Sequence, residues 1–240
     1  MAYPDPTDAH LRAYRERGWL TIPDALPAED VALLLGYCEA IKTDPDLSYD
    51  ATAAMDDAVT DDHEPVLMSM LPMVWLEWQT HRFHAWTHRM AEALAGEPVS
   101  FWYDQLLVKP PGGAPTPWHQ DEAYLGADDQ DLLISCWLTL DEVGVDGGCM
   151  HFEDRGHQTG IIRDLLTRAY GGSRWTPRHD VVPCPLPAGG VTFHHGKMPH
   201  MTYGNRTDRW RIAVIQRFTL DSVPRPTGHT HFADDPPEDA

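Results

Sequence analysis

In Trp118-His119-Gln120-Asp121 an imidazole and a carboxylate stand two residues apart. In extended backbone that spacing turns both side chains to one face. Some eighty residues later, Phe193-His194-His195-Gly196-Lys197-Met198-Pro199-His200 offers further imidazoles, which a separate strand can bring beside the first pair. Two His and one carboxylate on one triangular face of an octahedron leave three positions open, an arrangement suited to non-haem Fe(II) and oxygen chemistry. Zinc, by contrast, usually takes four ligands. A lone His-x-Asp does not define a site, so the elements that would position these residues matter.

Those residues lie after Gly96, where short β-rich runs are separated by Pro and Gly: 99–108, 132–140, 149–153, 191–194 and 210–220. In the run 132–140 one face carries Leu133, Ser135, Trp137 and Thr139, and the other Leu132, Ile134, Cys136, Leu138 and Leu140. The wholly apolar face should pack on helices, which leaves Trp137 and Thr139 facing the mouth of a barrel. Gln105 and Lys109 share a face with Phe101, Tyr103 and Leu107, so both are placed to donate to a bound carboxylate there. Before Gly96, apolar residues recur at three- and four-residue steps over 28–41, marking an amphipathic helix, and a second helix is expected over 74–94. Two helices followed by many short strands predict an α+β chain, a jelly-roll or cupin-like barrel with helices on one face.

The 240 residues are 42 % apolar with nine Trp, enough for one sizeable core, and the expected organisation is a single domain over 1–240. Residues 1–95 should be mainly helical with an acidic loop at about 43–65, since neither Lys nor Arg occurs between Lys42 and Arg82. The barrel should cover 96–221, and 233–240 should be a frayed tail. A formal charge of −19 repels phosphate backbones and anionic lipid surfaces, so neither nucleic acid nor membrane is an expected partner. With no signal-like amino terminus, a cytoplasmic location is expected. Cys38, Cys136, Cys149 and Cys184 form no CxxC pair and are read as reduced and structural.

Taken together, the segments from Tyr14 to Arg211 resemble the phytanoyl-CoA dioxygenase family of Fe(II)- and 2-oxoglutarate-dependent oxygenases. The likeness is carried by Tyr14 to Leu26, Asp104 to Gly113, Pro117-Trp118-His119-Gln120-Asp121, Trp137, Asp146-Gly147-Gly148-Cys149-Met150, and His200 to Arg211. The resemblance implies a double-stranded β-helix in which His119, Asp121 and His200 hold iron and Arg211 pairs with the distal carboxylate of 2-oxoglutarate. Trp137 matches a position lining that cosubstrate's pocket, and O2 is the second cosubstrate. Family members usually carry Pro-Gly-Ser-His where this chain reads Asp154-Arg155-Gly156-His157, a local departure. An aspartate at 121 argues for oxygenation, because related halogenases keep a small residue there to admit chloride.

Chemistry and spacing leave competitors. A planar guanidinium grips a carboxylate with two parallel hydrogen bonds, which suits Arg211, but Arg209 and Arg217 share its face by alternation and are read as substitutes or solvated strand ends. His194 and His195 are adjacent, so at most one faces inward, and both are read as ordinary strand or loop histidines. Glu77, His81, His84 and His88 follow helical steps and could bind zinc, although an ordinary helix face explains them too. Tyr103, Tyr124, Met150 and Phe152 are expected at the substrate pocket, with 68–78 as a lid. The expected substrate is a small metabolite or natural-product intermediate rather than a polyanion, and the expected reaction is hydroxylation. The rival readings are a cupin-like metal enzyme that does not use 2-oxoglutarate and a non-catalytic metal- or ligand-binding barrel.

Overall fold

The structure is a computed structural model, and it describes residues 2–51, 63–70, 76–125, 131–162 and 175–224. Part of the expected acidic loop, at 52–62, and all of the expected tail at 233–240 lie outside the described residues.

Helix α1 (Asp8–Arg17) starts where Thr7 and His10 cap one another's backbone N–H groups and stops at Gly18, whose φ of 82° supplies the left-handed C-cap. It escaped the periodicity argument because Tyr14 is its one buried residue. Strand β1 (Trp19–Ile22) leads to α2 (Ala28–Cys38), which buries Val31, Leu34 and Cys38 and runs into a 3₁₀ turn at Glu39–Lys42, as the spacing predicted. Two short strands follow, β2 (Tyr49–Asp50) and β3 (Leu67–Ser69), so the amino-terminal part also feeds the sheet. The helix expected over 74–94 is two helices among the described residues, α3 (Leu76–Gln79) and α4 (Arg82–Ala95). They break at His81, whose extended backbone (ψ 140°) lets its ring nitrogen accept the Phe83 N–H as an N-cap.

The remaining strands are β4 (Val99–Lys109), β5 (Thr116–His119), β6 (Leu133–Thr139), β7 (Met150–Glu153), β8 (Val181–Cys184), β9 (Val191–His195), β10 (His200–Thr202) and β11 (Arg211–Leu220). They form two antiparallel sheets, a seven-stranded one in the order β1-β9-β6-β11-β4-β3-β2 and a four-stranded one in the order β5-β10-β7-β8. This is the expected jelly-roll.

Alternation divides the large sheet into two faces. Ile134, Cys136, Leu138, Ile212 and Val214 pack outward with Leu34, Phe83, Trp86 and Met90 of the helices. Leu107, Trp137, Ala213 and Ile215 face inward, against Trp19, Met150 and Phe152. Each such burial contributes about 1.5–3 kcal/mol, so slipping a strand by one residue would forfeit a whole row. All four cysteines are buried and free.

One acid interrupts the helix-side core. Asp104 is 1 % exposed. It accepts the Trp78 indole N–H at 2.8 Å and lies 3.4 Å from His84 Nε2. Burial pushes its carboxyl up to about 7, against the hydrogen bonds from Trp78 and Gln216. An acid whose folded-state value lies above its unfolded value keeps its proton longer in the native state, so its contribution to stability falls as pH rises from about 4 to about 7. His84, pushed by burial down to about 4, acts in the opposite sense, so the difference between variant and parent isolates the acid. Asp104→Asn keeps the acceptor for Trp78 and should stabilise the fold by an amount that grows to a few kcal/mol, on the order of that linkage, between pH 4.5 and pH 8. Denaturant midpoints at the two pH values check this; an equal shift at both would contradict the burial argument.

Candidate active site

Strands β5 and β10 pair with His119 opposite His200, which sets their ring centroids 4.0 Å apart. Asp121 is not in extended backbone as the spacing argument assumed; it opens a 3₁₀ turn at Asp121–Leu125. The turn still delivers its carboxylate to the pair. Oδ1 of Asp121 lies 3.8 Å from Nε2 of His119 and 3.9 Å from Nε2 of His200, and the three ligand atoms fall within 4.8 Å of one another. Gln120, between the two ligands, points the other way. Its amide donates to the carbonyls of Gly160 and Lys197 at 2.9 and 2.5 Å and its oxygen accepts the Ile162 N–H, so β5 is tied to the turn that precedes His200.

Both imidazoles are set for coordination. Nδ1–H of His119 donates to the Pro117 carbonyl at 2.8 Å, and Nδ1–H of His200 to the Met198 carbonyl at 2.7 Å, which fixes the tautomer in which Nε2 carries the lone pair that can bind a metal. Burial lowers His119 to about 3 and His200 to about 4, with His200 depressing His119 further and His194 depressing His200. They are neutral at physiological pH, the form that binds metal.

Asp121 is held by residues the sequence reading treated as incidental. Ser135 of β6 donates its hydroxyl to Oδ2 at 2.5 Å, Nε2 of His194 on β9 meets the same oxygen at 3.1 Å, and Nη2 of Arg217 on β11 donates to Oδ1 at 2.8 Å. Burial alone would raise this carboxyl; Arg217 and His194 hold it well below the ordinary carboxylate range. The three partners form one row across the large sheet, since Ser135 stands opposite both His194 and Arg217. Arg217 is therefore not a solvated strand end but 9 % exposed, and His194 is the inward member of its pair. His195 turns away to Asp131 at 3.4 Å. The available signal was alternation: Arg217 sits six residues, an even number, beyond Arg211.

Arg211 opens β11 opposite Lys109, and it is 2 % exposed. Its Nη1 donates to the Leu107 carbonyl at 3.2 Å, its guanidinium carbon lies 5.7 Å from the Trp137 ring centre, and Nε and Nη2 have no partner among the described residues. Buried guanidinium donors without acceptors are rare in folded proteins, so this pair of N–H groups marks a place for a ligand anion. Asn205 fixes the approach to the strand by donating to the carbonyls of Lys109, Pro110 and Arg209. Close packing of the Asp146-Gly147-Gly148 turn matters too, because Gly148 (φ 79°) leaves no room for a Cβ against the Tyr203 carbonyl.

Other expected residues divide. Gln105, Trp137 and Met150 line the triad's cavity together with Met68, Thr202 and Arg217. Phe152 packs on the rings of His194 and His200, and Tyr103 lies under Arg217 at 5.4 Å. Lys109 is fully buried, donates to Thr202 Oγ1 at 2.7 Å and to the Tyr203 carbonyl, and is pushed far down by burial and by Arg211. Thr139 is buried but gives its hydroxyl to the Asp141 carbonyl. Arg209 is exposed. The side chain of Tyr124 and residues 71–75 of the expected lid lie outside the described residues.

His81, His84 and His88 engage Asp30, Asp104 and the Val99 carbonyl respectively and do not converge, so the helix carries no zinc site; among the described residues His119, Asp121 and His200 are the one group spaced to hold a metal. A larger cavity of about 490 Å³ lies on the helix side, lined by His84, Phe101 and Asp104, away from that group. Among the described residues no helix is long and apolar enough to cross a membrane.

The profile of the phytanoyl-CoA dioxygenase (PhyH) family matches residues 14–213, which span the triad and Arg211. The chain belongs to this family. Among relatives of this PhyH-family chain, a methylphosphonate hydroxylase of Gimesia maris is 25 % identical over 219 residues, 85 % of this chain and 77 % of that protein. A probable alpha-ketoglutarate-dependent hypophosphite dioxygenase of Stutzerimonas stutzeri is 29 % identical over 143 residues, 54 % of this chain, and the match spans about half (48 %) of that relative's length. In three dimensions the chain is similar to EvdO2 from Micromonospora carbonacea var. aurantiaca complexed with 2-oxoglutarate, with a TM-score of 0.71 and 26 % identity over 91 % of this chain and 93 % of that one.

The geometry separates ligands from their supports. His200→Ala should abolish binding of one Mn(II) per chain, read by electron paramagnetic resonance. His194→Ala should keep the metal and weaken it roughly 10–100-fold, the usual effect of losing an outer-shell partner. Equal losses in the two variants would put His194 among the ligands.

Proposed function

We propose that this PhyH-family chain is a non-haem Fe(II)- and 2-oxoglutarate-dependent dioxygenase that hydroxylates an unactivated C–H bond of a small metabolite. His119, Asp121 and His200 would hold the ferrous ion, and Arg211 the distal carboxylate of the diacid. When bound, iron and 2-oxoglutarate supply the oxidising power, with the cosubstrate decarboxylated to succinate as O2 is consumed. The chain's own contribution is placement and shielding. Neutral imidazoles of His119 and His200 would present two lone pairs and the carboxylate of Asp121 the one negative ligand, a three-residue set that would leave the ion open to a cosubstrate.

The observation that carries this reading is the guanidinium of Arg211, buried beside Trp137 with two nitrogens, Nε and Nη2, unmatched among the described residues. A metal site alone would equally suit a cupin-like enzyme without a cosubstrate, or a binding protein. Neither needs a second buried anion site inside the same barrel. The reading also draws support from the relatives, two of which are named for small phosphorus compounds, methylphosphonate and hypophosphite. A small metabolite is in keeping with a narrow cavity walled by Met68, Met150 and Ile215.

Succinate release from Fe(II), ascorbate and 2-oxoglutarate tests the proposal, and slow uncoupled turnover is expected even before the primary substrate is found. Absence of succinate together with absence of 2-oxoglutarate binding would refute it. Arg211→Gln should weaken the apparent affinity for 2-oxoglutarate by roughly 2–5 kcal/mol, as for a lost buried charge pair, with metal binding retained. An unchanged requirement would move the carboxylate to another cation.

A further inference from the structure

The large sheet carries a second polar cavity, on the face that the metal ligands do not use. Its volume of about 490 Å³ lies between α4 and the strands β4 and β11. Asp104 and Phe218 in its lining are 1 % exposed, whereas Phe101 is 39 % exposed, so the cavity runs from the surface to a buried carboxyl.

That carboxyl has neighbours but no cation. Trp78 and Gln216 give it hydrogen bonds, which hold it in place and bring no charge. Among the described residues no Lys or Arg forms an ion pair with it, and the basic group within reach, His84 Nε2 at 3.4 Å, belongs to a ring that burial pushes down to about 4. A buried acid ordinarily has a charged partner. Asp104 also costs the fold stability, as its replacement by Asn should show, which fits an acid that serves a ligand rather than packing.

Aromatic rings complete the wall. His84 meets Phe101 edge-on at 5.6 Å, and Phe218 meets Phe101 and His88 edge-on, each at 5.9 Å. Four rings and one acid therefore share a single cavity, and that combination recognises an organic ammonium ion: the rings attract the cation and the carboxylate accepts its N–H groups. An anion would face the acid, and a neutral molecule would leave the carboxyl without a counter-charge. The surroundings agree in sign, since Glu92 lies 3.7 Å from His88 Nδ1 and the formal charge of −19 draws cations at long range.

We infer that this helix-side cavity is a second binding site, taking a small organic ammonium ion whose head is held by Asp104 and whose apolar body lies against Phe101 and Phe218. It is separate from the metal cavity, which Gln105, the next residue on β4, lines from the other face of the sheet. The inference does not depend on the oxygenase reading.

The test titrates benzylamine, a cation at neutral pH, calorimetrically into the full chain, against benzyl alcohol and benzoate, a neutral molecule and an anion of similar size. Benzylamine should bind roughly tenfold or more tightly than either, as expected for hydrogen bonds to a charged group. The preference should be the same with and without Mn(II) and in His200→Ala. Asp104→Asn should lose it, with folding of the variant read separately from the denaturant midpoints proposed above. Phe101→Ala, a change at a partly exposed ring, should weaken benzylamine and benzyl alcohol alike. Failure of the parent chain to bind benzylamine, or equal binding of the three molecules, overturns the inference without recourse to any variant. So does a preference that survives Asp104→Asn, or an affinity unchanged by Phe101→Ala. A preference that Mn(II) or His200→Ala abolishes would place the amine at the metal ligands, and the inference is then wrong.

Discussion

A carboxylate at 3 % exposure persists in a protein interior only when opposite charge and hydrogen-bond donors enclose it, and the barrel is arranged around Asp121 to meet that condition. The acid is delivered from the end of β5, in the small sheet. Its partners come from three neighbouring strands of the large sheet: His194 on β9, Ser135 on β6 and Arg217 on β11. One carboxylate therefore joins the two sheets at their inner faces, and it does so where β5 and β10 bring His119 and His200 together. The site cannot be loosened without uncovering a buried charge. That coupling lets two ligands sit on paired strands while the third, in a 3₁₀ turn, is held in place by groups on three more strands.

Much of this was legible in the sequence because the relevant rules are local. Two-residue alternation assigns Trp137 and Ile215 to one side of the sheet and Cys136 and Val214 to the other, and both assignments agree with the packing. The pair His119 and Asp121, with further imidazoles some eighty residues on, could be read as a candidate metal site from residue type and spacing, while the choice of His200 as third ligand and of Arg211 as a carboxylate partner came from the family resemblance. What was not legible depends on register between strands distant in sequence. Nothing local says that Ser135 stands between His194 and Arg217; that row exists only once β9, β6 and β11 pair. The same holds for Asp121, whose 3₁₀ backbone is imposed by its surroundings, and for Glu122 beside it, which accepts the Leu132 and Leu133 N–H groups. The break between α3 and α4 was hidden for a different reason. His81 caps through its own ring, which composition does not reveal.

Strands β4 and β11 show how one sheet separates two chemistries. Tyr103 stands opposite Arg217 and faces the metal cavity, while Asp104 stands opposite Gln216 and faces the helices. Adjacent residues on each strand thus serve a cationic interior on one side and an acid within an apolar layer on the other. The sheet's own hydrogen bonds are satisfied between strands, so it can act as a partition without unpaired backbone groups on either face. The larger cavity on the helix side is lined by Asp104 and His84, and His84 is bonded to Gln216 of β11 at 2.9 Å.

The contrast between outer and inner charge has a kinetic meaning. A formal charge of −19 repels a diacid at long range, but at physiological salt that repulsion is screened within about 8 Å of the surface. Inside the barrel screening is weak and the dielectric low, so the field of the buried Arg211 guanidinium is little reduced by salt. Surface and interior electrostatics therefore respond differently to salt: the effect of the exposed carboxylates fades with it, and a buried guanidinium is barely reached.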